Sequence, residues 1–140
     1  MIEDARLARA KVEVRRSVMA LQYPQRFKVI FYNEAPLPSP GDAPKSADLL
    51  GKDQLLRWMS AIEPAGETDP RGAMKLAIAL RPDAIFLLSD GEYPEGAAEA
   101  IAKSNTTKIP VHCVDLSGGV GGDQLRKIAG DSGGQYISRP

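Results

Sequence analysis

The residues best placed to do chemistry cluster at the end of one stretch, Asp83-Ala84-Ile85-Phe86-Leu87-Leu88-Ser89-Asp90-Gly91-Glu92. Five consecutive apolar residues predict a strand buried on both faces, the habit of a parallel sheet. The run stops at Ser89-Asp90-Gly91, so a carboxylate stands at the carboxyl end of that strand, the edge at which open α/β sheets bind ligands. Asn33, Thr68, Asp69, Asp90, Gly91 and Glu92 together make the expected partner surface. Asp90 is also suited to accept backbone hydrogen bonds within its own turn, and the acidic run Asp90, Glu92, Glu95 suits a solvated helix start.

Other chemistry-bearing residues carry weaker signals. Ser89 lacks the Gly-x-Ser-x-Gly frame of a strained nucleophile turn. His112 lies inside a strand, and no motif places a carboxylate or nucleophile beside it, so a structural role is expected. Cys113 sits in an apolar run and reads as a small buried hydrophobe. As the sole cysteine it excludes an intrachain disulfide and a cysteine metal cluster. Gly118-Gly119-Val120-Gly121-Gly122 follows a strand and precedes a helix, where a phosphate could meet free N–H groups. It satisfies neither Gly-x-Gly-x-x-Gly nor a Gly-Lys-Ser/Thr element. A flexible connection is the plainer expectation, and a Rossmann-like nucleotide or anion binder, or an enzyme using this loop, is the alternative.

Several elements must position these residues. Leu7, Ala10, Val14, Val18 and Leu21 recur at helical spacing, predicting a helix over 2–21. Arg26-Phe27-Lys28-Val29-Ile30-Phe31-Tyr32 predicts a strand. Between Asn33 and Gly51 the prolines predict a long, mobile loop with at most a short edge strand. A helix is expected over 52–62. The next starts at Pro70 with Thr68 or Asp69 as cap, because proline suits the first helical position, and runs to about Leu80. After the central strand come a helix from Pro94 to about Ser104, a strand over 109–116, a helix from Asp123 to about Ala129 ended by Gly130, and a short strand over 135–138. Alternating strands and helices specify an α/β domain with a mostly parallel sheet. The 140 residues fit one domain.

Eighteen basic and eighteen acidic residues cancel, so no global field draws the chain to nucleic acid or to anionic lipid. No apolar run approaches the roughly 20 residues that cross a bilayer. The N-terminus lacks the pattern of a signal peptide, and a cytoplasmic location is expected.

The initial helix with Arg26–Phe31, the turn Gly66-Glu67-Thr68 before a helix, Ile85-Phe86-Leu87-Leu88-Ser89-Asp90-Gly91 and the final Gly133-Gly134-Gln135-Tyr136 occur in an order that resembles a von Willebrand factor type A domain. The resemblance implies a three-layer, Rossmann-like α/β fold, with a mostly parallel sheet of about four strands and helices on both faces, whose carboxyl edge carries a metal-ion-dependent adhesion site. Thr68 matches that site's threonine and Asp90 its aspartate. The Asp-x-Ser-x-Ser motif, the first strand that bears it and the terminal helix have no counterpart in these 140 residues. A magnesium-type ion wants about six oxygens in near-octahedral array, and Thr68 and Asp90 supply too few. The expectation is therefore a non-enzymatic protein-interaction module with no cofactor, where magnesium or manganese binds only if an upstream segment completes the site.

The missing strand would lie between Arg26–Tyr32 and Asp83–Ser89. The expectation is that the gap closes, with Val29 paired beside Phe86. The helices at 70–80, 94–104 and 123–129 then share one sheet face, leaving the other undercovered and open to a partner protein or to self-association.

Overall fold

The structure is a computed structural model that describes residues 2–22, 25–32, 36–39, 44–61, 69–89, 93, 95–116 and 122–138. Its elements run α1 (Ile2–Ala20), β1 (Arg26–Phe27), β2 (Ile30–Tyr32), β3 (Pro36–Pro38), β4 (Lys45–Ser46), α2 (Leu49–Ser60), α3 (Arg71–Ala79), β5 (Ile85–Ser89), α4 (Ala97–Ser104), β6 (Val111–Asp115), α5 (Gly122–Ser132) and β7 (Tyr136–Ser138).

The parallel sheet has the order β5-β6-β7. Ile85 lies opposite Val111 and Ser89 opposite Asp115, while Cys113 lies opposite Tyr136 and Asp115 opposite Ser138. Successive side chains alternate between the two faces. Ile85 and Leu87 on β5, with Val111 and Cys113 on β6, therefore point to one side. There they pack with Met74 of α3, Ala98 and Ile101 of α4, and Leu125, Ile128 and Ala129 of α5. Helices α3, α4 and α5 thus share a face as expected, and Phe86 on the opposite face is 60% exposed. A second, smaller core joins Val18, Phe27, Ala47 and Leu55, with Val14, Leu21, Val29 and Trp58 packed against it.

Local chemistry moved three helix boundaries. Helix α2 starts at Leu49, not at 52, because the Asp48 carboxylate accepts the Gly51 N–H at 2.8 Å and caps the first turn. Helix α4 starts at Ala97, after Gly96, and not at Pro94. Helix α5 runs through Gly130 to Ser132. The glycines that end it are Gly133, at φ +79°, and Gly134, whose N–H returns to the Ala129 carbonyl at 2.8 Å. A Cβ on Gly134 would lie 2.1 Å from the Val111 carbonyl oxygen, so only glycine lets this turn press on β6.

The expected closure of the sheet does not occur. The stretch Arg26–Tyr32 pairs antiparallel, β1 with β4 and β2 with β3, and not parallel with Ile85–Ser89. Pro36, Leu37 and Pro38 form a strand opposite Tyr32, Phe31 and Ile30, and among the described residues β5 pairs with β6 alone. The Asn33–Gly51 stretch read as a loop thus contains β3, β4 and the start of α2. Its residues 33–35 and 40–43 lie outside the described residues.

Asn105 ties α4 to β6. Its side chain donates to the Ile109 carbonyl at 2.8 Å and accepts the Ile109 N–H at 2.9 Å, and the residue is buried. Asn105→Ala leaves both backbone groups unpaired and should destabilise the fold by about 1–3 kcal/mol. The check is a lower urea midpoint with an unchanged slope.

Candidate functional site

Helix α3 precedes β5 and joins it through a short turn at the sheet's amino end, so α3 runs back toward the carboxyl edge and begins there. Of the six residues expected to form the partner surface, Asp69 is described, and it sits at that start. Asn33, Thr68, Asp90, Gly91 and Glu92 lie outside the described residues, as do 118–121 of the glycine loop. The adhesion-site pair Thr68 and Asp90 therefore has no geometry to report. Among the described residues no group of three His, Cys, Asp or Glu side chains is arranged to hold a metal ion.

Asp69 is firmly engaged. Its Oδ1 accepts the Arg71 backbone N–H at 3.1 Å and the Arg71 Nε at 3.0 Å, from the position before Pro70, which takes the cap position in place of the expected Thr68 or Asp69. Its Oδ2 accepts Arg71 Nη2 at 2.7 Å, which completes a two-pronged ion pair. The Arg71 hydrogen bonds hold the Asp69 carboxyl below its ordinary value, against a smaller opposing effect of burial.

The carboxyl ends of the three parallel strands place Ser89, Asp115 and Ser138 in one row. Asp115 is wholly buried. The Tyr136 hydroxyl donates to its Oδ2, and the Arg126 guanidinium lies 4.6 Å above the Tyr136 ring. The first turn of α5 closes over this group. A Cβ on Gly122 would fall 2.6 Å from the Tyr136 hydroxyl and 3.0 Å from Asp115 Oδ2. The hydrogen bond to Asp115, first, and then burial raise the Tyr136 phenol above its usual range. From the other side of the sheet, Arg9 on α1 donates to the Leu116 carbonyl at 2.6 Å.

This constellation did not emerge from the sequence reading. Asp115 carried one available signal, as the single carboxylate within the apolar run Val111–Leu116. Nothing local pointed to its partner, twenty-one residues on. The structural roles expected for His112 and Cys113 agree with the contacts. His112 Nδ1 accepts the Gln135 N–H at 3.0 Å, and its ring lies 5.1 Å from that of Phe86. Burial pushes the Cys113 thiol up to about 12.

A three-layer α/β arrangement with its polar groups gathered where parallel strands end defines a Rossmann-like domain. A solved structure, von Willebrand factor type A from Catenulispora acidiphila, shares that arrangement with a TM-score of 0.80 at 20% identity. The match covers 96% of this chain and 34% of that one, so the chain spans about a third of the length of the structure it resembles. This likeness is one of fold: the chain has the fold of a von Willebrand factor type A domain. No family model matches it, and no curated protein sequence does. Among the described residues no helix is long and apolar enough to cross a membrane.

Two outcomes test this geometry. Tyr136→Phe takes a donor from the buried Asp115 carboxylate and should cost about 1–3 kcal/mol of stability, read as a lower denaturant midpoint. The Asp69–Arg71 pair gives an acid dependence of known sign. Because the Asp69 value is lower folded than unfolded, its contribution is present above the ordinary carboxylate range, near 3.9, and is lost as pH falls through the folded value. Arg71→Ala should return the Asp69 titration, followed by carboxyl carbon shifts, toward that ordinary value. An Asp69 titration unmoved by Arg71→Ala would show that the pair does not set it.

Proposed function

We propose that this chain is a non-enzymatic protein-interaction module that presents the carboxyl edge of its sheet, Asn33, Thr68, Asp69, Asp90, Gly91 and Glu92, to another protein. The observation that carries the reading is the internal engagement of the described groups that could otherwise do chemistry. The Cys113 thiol is buried and stays protonated at neutral pH. The Tyr136 hydroxyl is committed to Asp115, and His112 Nδ1 to a backbone N–H. Ser89 is buried at the end of its strand. What is left for a partner is the proposed carboxyl-edge surface, since residues carried on a rigid sheet are where recognition gathers.

The fold likeness supports the same reading without naming a partner. No cofactor is part of it. Magnesium or manganese would join Thr68 and Asp90 only with further oxygens from an upstream segment. The alternative, an anion or nucleotide on the glycine loop at 118–122, is weakened by the buried Asp115 carboxylate beneath the first turn of α5. That carboxylate already complements the positive helix end and would repel a phosphate. A cytoplasmic setting suits a single reduced, buried cysteine.

Alanine at both Asp90 and Glu92 should weaken binding of an isolated partner by roughly tenfold or more, the scale on which anchor residues act. Glycine at Arg81 and Lys108 should leave binding unchanged. Those two lie in the turns before β5 and β6, at the opposite end of the sheet, with φ values of +52° and +53° that glycine adopts freely. Loss of binding in the second pair and not the first, measured by calorimetry, would sink the carboxyl-edge assignment.

A further inference from the structure

At the amino end of the sheet, opposite the carboxyl edge, a cleft of about 290 Å³ lies between α4 and α5. Helical spacing builds one wall, because Ala98, Ile101 and Ala102 stand three and four residues apart on α4. Ile128 of α5 forms the other wall, and Val111, the first residue of β6, lies at the bottom. The short alanine side chains leave the space open, and the main core begins directly beneath it.

The polar groups inside the cleft are already engaged. The Ser132 Oγ accepts the Val111 N–H at 2.9 Å and lies 3.1 Å from the Ile128 and Ala129 carbonyls. The Asn105 amide is held on both sides by Ile109. A polar group brought in from water would find no partner there, so the interior suits an apolar one. The mouth differs. Lys108 and Asp131 stand at it, and both are exposed. Asp131 Oδ2 pairs with Lys127 Nζ at 3.4 Å. Among the described residues the Lys108 ammonium has no hydrogen-bond or ion-pair partner, which leaves the mouth with one unbalanced positive charge. The Lys108 backbone sits at φ +53°, a sparsely populated value for a residue other than glycine. Its N–H lies 3.2 Å from the Asn105 carbonyl, and Asn105 in turn clamps Ile109. The turn therefore fixes the base of this lysine at the rim.

We propose that this cleft binds a small apolar monocarboxylate, its hydrocarbon tail between α4 and α5 and its carboxylate on Lys108. Volume sets the size of the occupant. At about 290 Å³ the cleft sits at the lower bound of ligand sites, roughly 300–1,000 Å³, which suits a short or branched acid and not a long lipid chain. Charge sets the head group. An ammonium without a partner, beside a carboxylate already paired with Lys127, favours an anion over an amine. The cleft lies at the far end of the sheet from the carboxyl-edge surface, and the proposal stands independently of that surface.

The test follows the methyl resonances of Ala98, Ile101, Ala102 and Ile128 while isocaproate is added to the chain. The shifts should saturate, with a midpoint on the order of 1 mM. Isocaproamide keeps the tail and lacks the charge. It should bind about three- to tenfold more weakly, the range from an exposed ion pair to a charge-assisted hydrogen bond. Lys108→Gly should weaken the acid by the same factor and leave the amide unchanged, because glycine adopts the positive φ of this turn freely. Ala102→Leu fills the cleft from an exposed helical position that suits leucine, and it should abolish the shifts from both compounds. Shifts that stay linear to roughly twentyfold above the expected midpoint would overturn the proposal. So would equal binding of acid and amide, undiminished binding of the acid to the Lys108→Gly chain, or binding that survives Ala102→Leu. Isoamylamine bound more tightly than the acid would assign the mouth to Asp131 and overturn the choice of head group.

Discussion

The five-residue parallel ladder between β5 and β6 is the interaction on which the rest of this molecule depends. A parallel ladder needs both faces covered, because its residues are apolar on both sides. Here one face is met by α3, α4 and α5 through a single continuous core around Val111 and Cys113, neither of which is exposed at all. The register that pairs Ile85 with Val111 also brings Ser89, Asp115 and Ser138 level at the far end. A slip of one residue would turn Asp115 toward the other face and Phe86 into the helical core, so burial on one side sets the chemistry at the edge.

That edge combines rigidity with internal satisfaction. A fully buried carboxylate is tolerable only where donors meet it, and Tyr136 and the start of α5 provide the surroundings that Asp115 needs. The same contacts hold three separate pieces together, the end of β6, the first turn of α5 and β7. Arg9 extends the clamp to α1 by reaching the Leu116 carbonyl. Such an arrangement fixes the carboxyl ends of β6 and β7 against the start of α5.

What the sequence disclosed was set by how local each signal is. The apolar runs at 84–88 and 109–116 announced β5 and β6, and Pro70 announced α3 to within a residue, because burial and proline geometry act on neighbours in the chain. The cap itself is Pro70, without a side-chain cap bond, and Asp69 meets the first helical N–H from the position before it. Two short-range signals were outweighed. Asp48 starts α2 before its hydrophobic spacing does, and Gly130 is carried inside α5 by the buried Ile128, Ala129 and Ser132 around it. Asp115 with Tyr136 could not be read from either segment, since the pairing exists only once β6 and β7 lie side by side. Of the expected carboxyl-edge surface, the described structure bears on Asp69 alone.

The stretch from 33 to 51 shows a finer limit. Prolines argue against a regular ladder beyond a short edge strand, yet Pro36 and Pro38 both sit in one. What matters for a strand is not whether proline is present but which way its nitrogen points. At every second position the missing N–H faces away from the partner, and the ladder loses nothing. Placed so, two prolines do opposite things to the two sides of one hairpin: they permit pairing toward β2 and forbid it outward. The chain therefore carries its instruction about where strands stop in a residue type usually read as irregularity.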